Sequence, residues 1–309
     1  MTLFQSSYLS TMATSTPFAT TFFSLLLLQF LIGSYSATFT IVNECSYPVW
    51  PGILSNAGTP QLSTTGFALQ PGESNPITAP AGWSGRFWGR TLCSQDSEGK
   101  FSCATGDCGS SGVECAGGGA APPATLAEFK LNGAGGTDFY DVSLVDGYNL
   151  PMTVEPRGGA GGGNCTATGC TVDLNGACPT ELKVTYGANG WDEGVACKSA
   201  CEAFGEAEYC CSGAYATPDT CKPSRYSEFF KEACPRAYSY AYDDGTSTFT
   251  CASADYEITF CPGSSTSLME SGKEKYADAV EASGEHGSGG GRWRLLWVLL
   301  ELMAFRVLS

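Results

Sequence analysis

The sequence predicts a mainly β fold, a sandwich or a barrel, whose short strands are held together by disulfides. The first observation is a series of short runs in which apolar and polar residues alternate, each bounded by Gly, Pro or Asn. This pattern indicates strands with one buried face, and many such strands are typical of sandwiches and barrels. The second observation is an even number of cysteines, sixteen, all between Cys45 and Cys261. Such a density predicts a disulfide framework formed in an oxidising compartment.

The predicted strands follow one another along most of this region. They are 38–42, 47–52, 66–69, 85–89, 126–131, 139–145, 152–154 and 256–260. Residues 165–234 differ, because they hold more than half of the cysteines and two helical patterns. One pattern covers Val195 to Phe204, and the other follows a possible cap at Ser224 and ends before Pro235. We expect a small lobe here that depends on crosslinks more than on an apolar core.

Residues 1–36 are predicted to be a signal peptide. An apolar run through Leu25 and Leu28 ends at the small residues Ser34 and Ser36, which suit cleavage before Ala37. No charged residue precedes Glu44, so the usual positive start of a leader is missing. Translation from Met12 instead of Met1 would give a leader of more ordinary length.

The C-terminal segment is expected to lie outside the folded domain. Residues 263–291 are rich in Ser, Gly and charge, which predicts a disordered spacer. The apolar tail at 292–309 is shorter than the roughly 20 residues that a membrane helix needs. It matches the outline of a lipid-anchor (GPI) signal, although Glu301 and Arg306 interrupt it. The alternatives are a vacuolar sorting extension and a disordered tail with an apolar end.

Charge and histidine content exclude several classes of function. The formal net charge is −15, which disfavours nucleic acid as a partner. The single histidine, His286, lies in the Gly/Ser-rich tail. A Ser-His-Asp or Cys-His nucleophile and a His-ligated zinc site are therefore not expected. We predict no metal and no cofactor, and any catalysis would have to use carboxylates.

Four stretches of sequence, together with the order of the cysteines, carry a family resemblance. They are 85–91 (GRFWGRT), 103–108 (CATGDC), 122–129 (PPATLAEF) and 138–152 (DFYDVSLVDGYNLPM), joined by Cys210-Cys211 and Phe260-Cys261-Pro262. This pattern closely resembles the thaumatin-like proteins, the plant pathogenesis-related defence family that includes osmotin and thaumatin. The resemblance covers about residues 37–262 and indicates a long form with a C-terminal extension.

The resemblance implies a fold and a disulfide pairing. The fold would be a flattened antiparallel β-sandwich with a disulfide-rich lobe, at about 165–234, that contains short helices. The eight implied bridges are Cys45–Cys261, Cys93–Cys103, Cys108–Cys115, Cys165–Cys251, Cys170–Cys234, Cys178–Cys197, Cys201–Cys210 and Cys211–Cys221. The loop between Cys108 and Cys115 is one residue longer than is usual in the family. The protein would be a monomer.

The resemblance also implies an acidic cleft between the sandwich and the lobe. Its lining residues would be Arg86, Glu128, Asp141, Asp146 and Asp244. Asp243 stands beside Asp244, and either could face the cleft. Asp107 is more simply explained as a turn residue than as part of a site.

Three functions from different classes agree with this sequence. The first is a secreted antifungal defence protein that binds β-1,3-glucan, or another fungal cell-wall polysaccharide, in the cleft. The second is a weak endo-β-1,3-glucanase, with Glu128 as proton donor and Asp141 or Asp146 as its partner. The third is a surface recognition or inhibitor module, associated with the membrane through a lipid anchor in the tail.

The expected location is outside the cell, in the apoplast, with a plasma-membrane anchor or the vacuole as alternatives. Asn164-Cys165-Thr166 is a sequon for N-glycosylation at Asn164. A bridge at Cys165 would compete with its use.

Overall fold

The computed structural model describes residues 36–160, 165–187 and 194–263. The predicted leader, spacer, apolar tail and Asn164 lie outside these ranges, apart from Ser36 and Gly263. The strands are β1 (Ala37–Asn43), β2 (Trp50–Ser55), β3 (Ser74–Ala79), β4 (Ser84–Gln95), β5 (Phe101–Thr105), β6 (Leu126–Lys130), β7 (Asp138–Ser143), β8 (Met152–Ala160), β9 (Thr168–Cys170), β10 (Lys183–Thr185), β11 (Gly194–Cys197) and β12 (Phe249–Phe260). The described helices are α1 (Ala200–Phe204), α2 (Arg225–Ala233) and α3 (Asp244–Ser247), with 3₁₀ turns at Ala134–Gly136 and Gly213–Tyr215.

Ten of these strands form one curled sheet, as expected for the mainly β fold. Its order is β2-β4-β6-β7-β12-β1-β3, with β5 on β4, β8 on β12 and β9 on β8. The described strand pairs are antiparallel except β1 and β12, which run parallel from Phe39↔Tyr256 to Asn43↔Phe260. The opening and closing strands of the domain are therefore neighbours in the sheet.

An aromatic cluster fills the space inside the curl. Alternate residues of β1 are buried, and the Phe39 ring lies 4.7 to 5.7 Å from the rings of Trp83, Phe87, Phe129 and Tyr256. Such ring pairs contribute about 0.5–1.5 kcal/mol each beyond the apolar area that they bury. This core fixes β4 and β6 beside each other.

Strand β4 is covered on both faces. Phe87 points into the main core, whereas its neighbour Trp88 packs in a second cluster with Cys115, Ala124 and Leu126. The Trp88 indole N–H donates to the carbonyl of Gly106 at 2.8 Å. A strand covered on both sides does not show the alternation that its sequence alone would suggest.

Two sequence predictions of local structure need correction. Residues 66–69 make only isolated bridges, Val49↔Leu69 and Gly52↔Gly66, and form no strand. The helix expected from Val195 begins only at Ala200, because residues up to Cys197 pair in β11 and Ser199 caps the helix by accepting from the N–H of Glu202 at 3.2 Å.

All sixteen cysteines are bonded in eight disulfides. The pairs are Cys45–Cys261, Cys93–Cys103, Cys108–Cys115, Cys165–Cys251, Cys170–Cys234, Cys178–Cys197, Cys201–Cys210 and Cys211–Cys221. This is the pairing that the family resemblance implies. The first of them ties the start of the chain's folded region to its end, across 216 residues of sequence.

Candidate functional site: an acidic groove across three strands

Three ionisable side chains form a row across β4, β6 and β7. Arg86 is directly opposite Glu128, and Glu128 is directly opposite Asp141. Residues opposite one another in antiparallel strands project from the same face, with Cβ atoms about 4.5–5.5 Å apart. The row is therefore a product of strand register, and a slip by one residue would turn all its members to the other face.

Two further carboxylates reach the same place from outside the sheet. Asp146 follows β7 in a turn, and Asp244 lies in α3. The turn requires Gly147, whose φ is +84° and whose hypothetical Cβ would lie 2.6 Å from Pro123. Only glycine fits this backbone without displacing its neighbour.

These five residues line a groove of about 400 Å³. Its other lining residues are Leu126, Ser143, Val145, Tyr238 and Ala241. Every residue predicted for the cleft thus lies at this one groove, where four carboxyl groups face a single guanidinium.

The electrostatics of the groove raise the pKa of its central carboxyls. Burial raises the pKa of Glu128, with a further rise from the charge of Asp146, although Arg86 acts to lower it. Burial also raises the pKa of Asp141 well above its ordinary value, and the carboxylates of Glu128 and Asp244 add to this against Arg86. Like charges opposite one another on adjacent strands favour the protonated form of one partner.

Arg86 compensates only part of this negative charge. Its Nη2 lies 3.4 Å from Oε1 of Glu128, and both side chains are about one-third exposed, at 33% and 35%. Its Nε is inaccessible to solvent and has no hydrogen-bond partner. Among the described residues, none donates a hydrogen bond to the Asp141 carboxylate.

The structure distinguishes Asp244 from Asp243. The Oδ2 atom of Asp243 accepts from the backbone N–H and hydroxyl of Ser239 and lies 2.8 Å from Nζ of Lys231. Asp243 is thus engaged inside the lobe, whereas Asp244 lines the groove.

Tyr238 is a groove residue that the sequence did not reveal. Its hydroxyl donates to Oδ1 of Asp244 at 2.8 Å and also contacts the Thr248 hydroxyl. Its backbone pairs with Ser143 beside β7. No local pattern marks this tyrosine, because its position depends on how the lobe docks against the sheet.

Asp107 has a structural role. Its Oδ2 accepts from the N–H of Cys103 and its Oδ1 from the N–H of Gly109, both at 2.7 Å. It lies outside the residues that line the groove, as the sequence predicted for a turn residue.

Neither a metal cluster nor a membrane span is found in the part of the chain that the structure describes. There, no group of three or more His, Cys, Asp or Glu side chains is arranged to hold a metal ion. The longest of the described helices has nine residues, and none is long and apolar enough to cross a bilayer.

Comparison with known proteins identifies the family. The Thaumatin family model matches residues 43–262. A thaumatin-like protein 1 of Arabidopsis thaliana is 63% identical over 75% of this chain and 88% of its own length. A pathogenesis-related thaumatin-like protein 3.5 of Cryptomeria japonica is 57% identical over 77% and 97%. A protein of Prunus avium named glucan endo-1,3-beta-glucosidase is 54% identical over 74% and 92%. With this fold, this disulfide framework and these relatives, the chain belongs to the thaumatin family.

Proposed function

We propose that this protein is a secreted defence protein that binds β-1,3-glucan of fungal walls in the acidic groove. The supporting observation is the row of Arg86, Glu128 and Asp141 at the floor of an open groove, with Asp146 and Asp244 on its walls. Secretion is supported by the eight disulfides, which form and persist in oxidising compartments.

The chemistry of the groove suits a neutral polysaccharide. Four carboxyl groups supply acceptors for sugar hydroxyls, and the partly exposed guanidinium of Arg86 supplies donors. Hydrogen bonds with one charged partner contribute about 1.5–3 kcal/mol each. An anionic polysaccharide such as a polyuronate would be repelled by the excess of negative charge.

Sedimentation with particulate β-1,3-glucan tests this proposal. We expect the protein to sediment with the glucan and Asp146→Lys to bind about tenfold more weakly, because a long cation replaces an acceptor at the wall of the groove. Asp219→Lys makes the same change of charge in the disulfide-rich lobe, outside the groove-lining residues, and should bind like the wild type. Equal binding by all three proteins would overturn the assignment to the groove.

Hydrolysis of the glucan is the second candidate, favoured by two observations. A relative with 54% identity bears the name glucan endo-1,3-beta-glucosidase. Burial also raises the pKa of Glu128, which keeps a proton available for donation to a leaving group. In this case Asp141 or Asp146 would be the second carboxylate. The raised pKa of Asp141 reduces the fraction of this carboxyl that is ionised and able to attack.

Glu128→Gln separates binding from hydrolysis. The amide retains an acceptor for sugar hydroxyls but cannot donate a catalytic proton, so a binding protein tolerates this change and a hydrolase loses activity by two orders of magnitude or more. New reducing ends would be measured together with sedimentation. If wild type releases no reducing ends, the hydrolase candidate is rejected and the binding proposal is unaffected.

The stereochemistry of any products would identify the partner carboxylate. Glu128 and Asp141 are direct cross-strand neighbours, whose Cβ atoms lie about 4.5–5.5 Å apart, and adjacent carboxyl groups rather than widely separated ones are the arrangement of retaining glycosidases. A Glu128–Asp141 pair therefore predicts retained anomeric configuration, which proton NMR of the first products reports. Inverted products would point to Asp146.

A further inference from the structure

A second cavity lies at the other end of β4 from the acidic groove. It measures about 560 Å³, within the range of small-molecule sites. Leu92 borders this cavity and Arg86 borders the groove, and a separation of six positions along the strand corresponds to about 20 Å. The two sites have no lining residue in common.

The walls of this cavity combine aromatic and aliphatic surface with a few polar groups. Its apolar surface comes from Tyr47, Pro48, Trp50, Leu92 and Val195. Tyr47 and Leu92 are the most exposed, at 42% and 47%. Trp50 is held from behind by Phe101, whose ring centroid lies 6.0 Å away. An apolar concave surface with few polar groups is the usual character of a ligand site.

Two polar side chains on the wall, Asn175 and Asp173, carry acceptor oxygens, and one of these oxygens lacks a partner. The Asn175 side chain donates from Nδ2 to the Asn149 carbonyl at 3.0 Å, which fixes the orientation of the amide. Its Oδ1 is buried and has no hydrogen-bond partner. Leaving a buried acceptor unpaired costs about 1–3 kcal/mol. Asp173 stands beside it, accepting from the Asn175 N–H through Oδ1.

Leu92 holds its exposed side chain at the cavity in a strained conformation. Its φ is +53°, a left-handed region that costs a bulky residue about 1–2 kcal/mol. The flanking Thr91 and Cys93 pair with Thr105 and Cys103, and a disulfide joins the two cysteines. The neighbours thus impose this backbone on Leu92, and strain of this kind is concentrated at ligand sites.

We infer that this cavity is a second carbohydrate site, which binds a neutral mono- or disaccharide. The apolar C–H face of a pyranose ring packs against Tyr47, Trp50 and Leu92. Hydroxyls on the opposite edge donate to the exposed Asp173 carboxylate. The carboxylate excludes uronic acids and sugar phosphates. This inference does not depend on glucan binding in the acidic groove.

NMR titration of the ¹⁵N-labelled full-length protein tests the inference. The probes are laminaribiose, cellobiose, chitobiose and xylobiose, with glucuronic acid as the anionic comparison. At least one neutral disaccharide should shift the amide signals of Leu92, Asn175 and Gly176 saturably, and glucuronic acid should not. Failure of all four disaccharides to move these signals overturns the inference, as does an equal effect of glucuronic acid.

A variant at Leu92 removes the cavity wall without damaging the fold. Leu92→Asn places a residue that tolerates the left-handed region at φ +53°, so the melting temperature should not fall. The affinity for the disaccharide should drop about tenfold. Val113→Asn removes another exposed apolar side chain, outside this cavity, and should bind like the wild type. Unchanged binding by Leu92→Asn contradicts the inference.

Two further variants separate this site from the groove. Asp173→Ala removes an exposed acceptor of the cavity and should weaken the shifts of Asn175. Asp146→Lys changes only the groove and should leave the cavity signals as in the wild type. If Asp146→Lys abolishes them, the sugar is bound in the groove and the second site is rejected, whereas the proposal for the groove would stand.

Discussion

Asp141 illustrates how one residue in the groove lowers the stability of the fold. Its carboxylate sits among other negative groups, and its pKa is raised above the ordinary value of 3.8 by burial and by Glu128. Below the ordinary pKa of 3.8, the carboxyl is protonated in both the folded and unfolded states. As pH rises through the raised pKa, the folded protein must ionise a disfavoured group, so stability is lost.

Asp141→Asn should therefore stabilise the protein at neutral pH. We expect the free energy of unfolding to rise by about 1 kcal/mol or more near pH 7 and to be unchanged near pH 3, because a neutral amide resembles the protonated acid. Guanidinium denaturation across this pH range measures the difference. A stability gain of the same size at low pH would show that charge is not the cause.

Glu114 provides a control, because its pKa is shifted in the opposite direction to that of Asp141. Burial acts to raise its pKa, but hydrogen bonds from Thr65 and Thr64 outweigh that effect and lower the pKa below 4.5. Glu114 therefore stabilises the folded protein at pH values above its pKa in the unfolded state. This stabilisation is lost as the pH falls through its lower pKa in the folded state. Glu114→Gln should cost about 1 kcal/mol near pH 7 and less near pH 3.

Arg90 stabilises the fold through hydrogen bonds from its buried guanidinium. It is fully buried, and its guanidinium donates to the carbonyls of Trp50, Pro51 and Val113. Burial lowers its pKa to about 10, despite the charges of Asp107 and Glu114. A planar group with several fixed donors is needed to satisfy three carbonyls at once.

Arg90→Lys should be strongly destabilising although it keeps the charge. A lysine cannot reach all three carbonyls, and each buried acceptor left unpaired costs about 1–3 kcal/mol. Arg157→Lys is the matched control, because Arg157 is half exposed in its ion pairs with Glu155 and Glu257 and should cost less than about 1 kcal/mol. Similar midpoints in urea for both variants would contradict the role assigned to Arg90.

Only some of the residues at the groove and the cavity could be predicted from the sequence. Arg86, Glu128 and Asp141 could be assigned because each lies in a motif of the family. Tyr238 and the cavity residues Asn175 and Leu92 could not, because their roles arise from lobe docking, from one unpaired oxygen and from a backbone angle. None of these leaves a pattern in neighbouring residues.

At the scale of elements, α2 links the disulfide-rich lobe to the groove. Its buried face is formed by Tyr226, Ser227, Phe230 and Ala233. From its last turn, Lys231 Nζ bonds to the Ala237 carbonyl and the Ser247 hydroxyl and pairs with Asp243. These contacts flank Asp244, so the helix supports one wall of the groove.

The start of α2 should be sensitive to its cap. Ser224 and Ser227 form a capping box, each side chain accepting from the backbone N–H of the other residue. Ser224→Ala should lower the free energy of unfolding by about 1 kcal/mol. Ser212→Ala is the control, because Ser212 precedes a 3₁₀ turn without any side-chain cap hydrogen bond. Equal effects on the melting temperature would argue against the cap.

The elements predicted from sequence were those that obey a local rule. The cap at Ser224 and the alternation of β1 both have a local signature. The start of α1 was wrong because tertiary contacts decide it: residues before Ser199 are drawn into β11, and Cys197 bonds to Cys178. In β4 the buried and exposed residues do not alternate, because a second apolar cluster covers the face on which Trp88 lies.

For the molecule as a whole, the pairing of β1 with β12 depends on contacts between the ends of the domain. The Cys45–Cys261 disulfide lies immediately beyond this pair. The cysteine count predicted crosslinking and the alternating runs predicted a mainly β class, but only the family resemblance supplied the pairing. No local signal can specify a parallel pair whose strands are more than 200 residues apart.

Removing this disulfide should cost more than removing a short-range one. In the chain-entropy description, a loop of this length is worth about 5 kcal/mol, and the short Cys201–Cys210 loop about 2–3 kcal/mol. The double Ala variants at each bridge, compared by melting temperature, measure this order. A larger loss for the Cys201–Cys210 variant would contradict it.

The parallel pairing also determines how the protein can be attached to a surface. Strand β12 begins beside Tyr140, next to Asp141, and its twelve residues carry the chain roughly 35 Å along the sheet at about 3.3 Å per residue. The chain therefore leaves the domain at Gly263 far from the groove. Protein immobilised on a sensor through a C-terminal tag should keep its groove open to solution. Coupling through lysines would attach some of the molecules to the surface through Lys130. Because Lys130 is two positions from Glu128, the groove of these molecules would be obstructed.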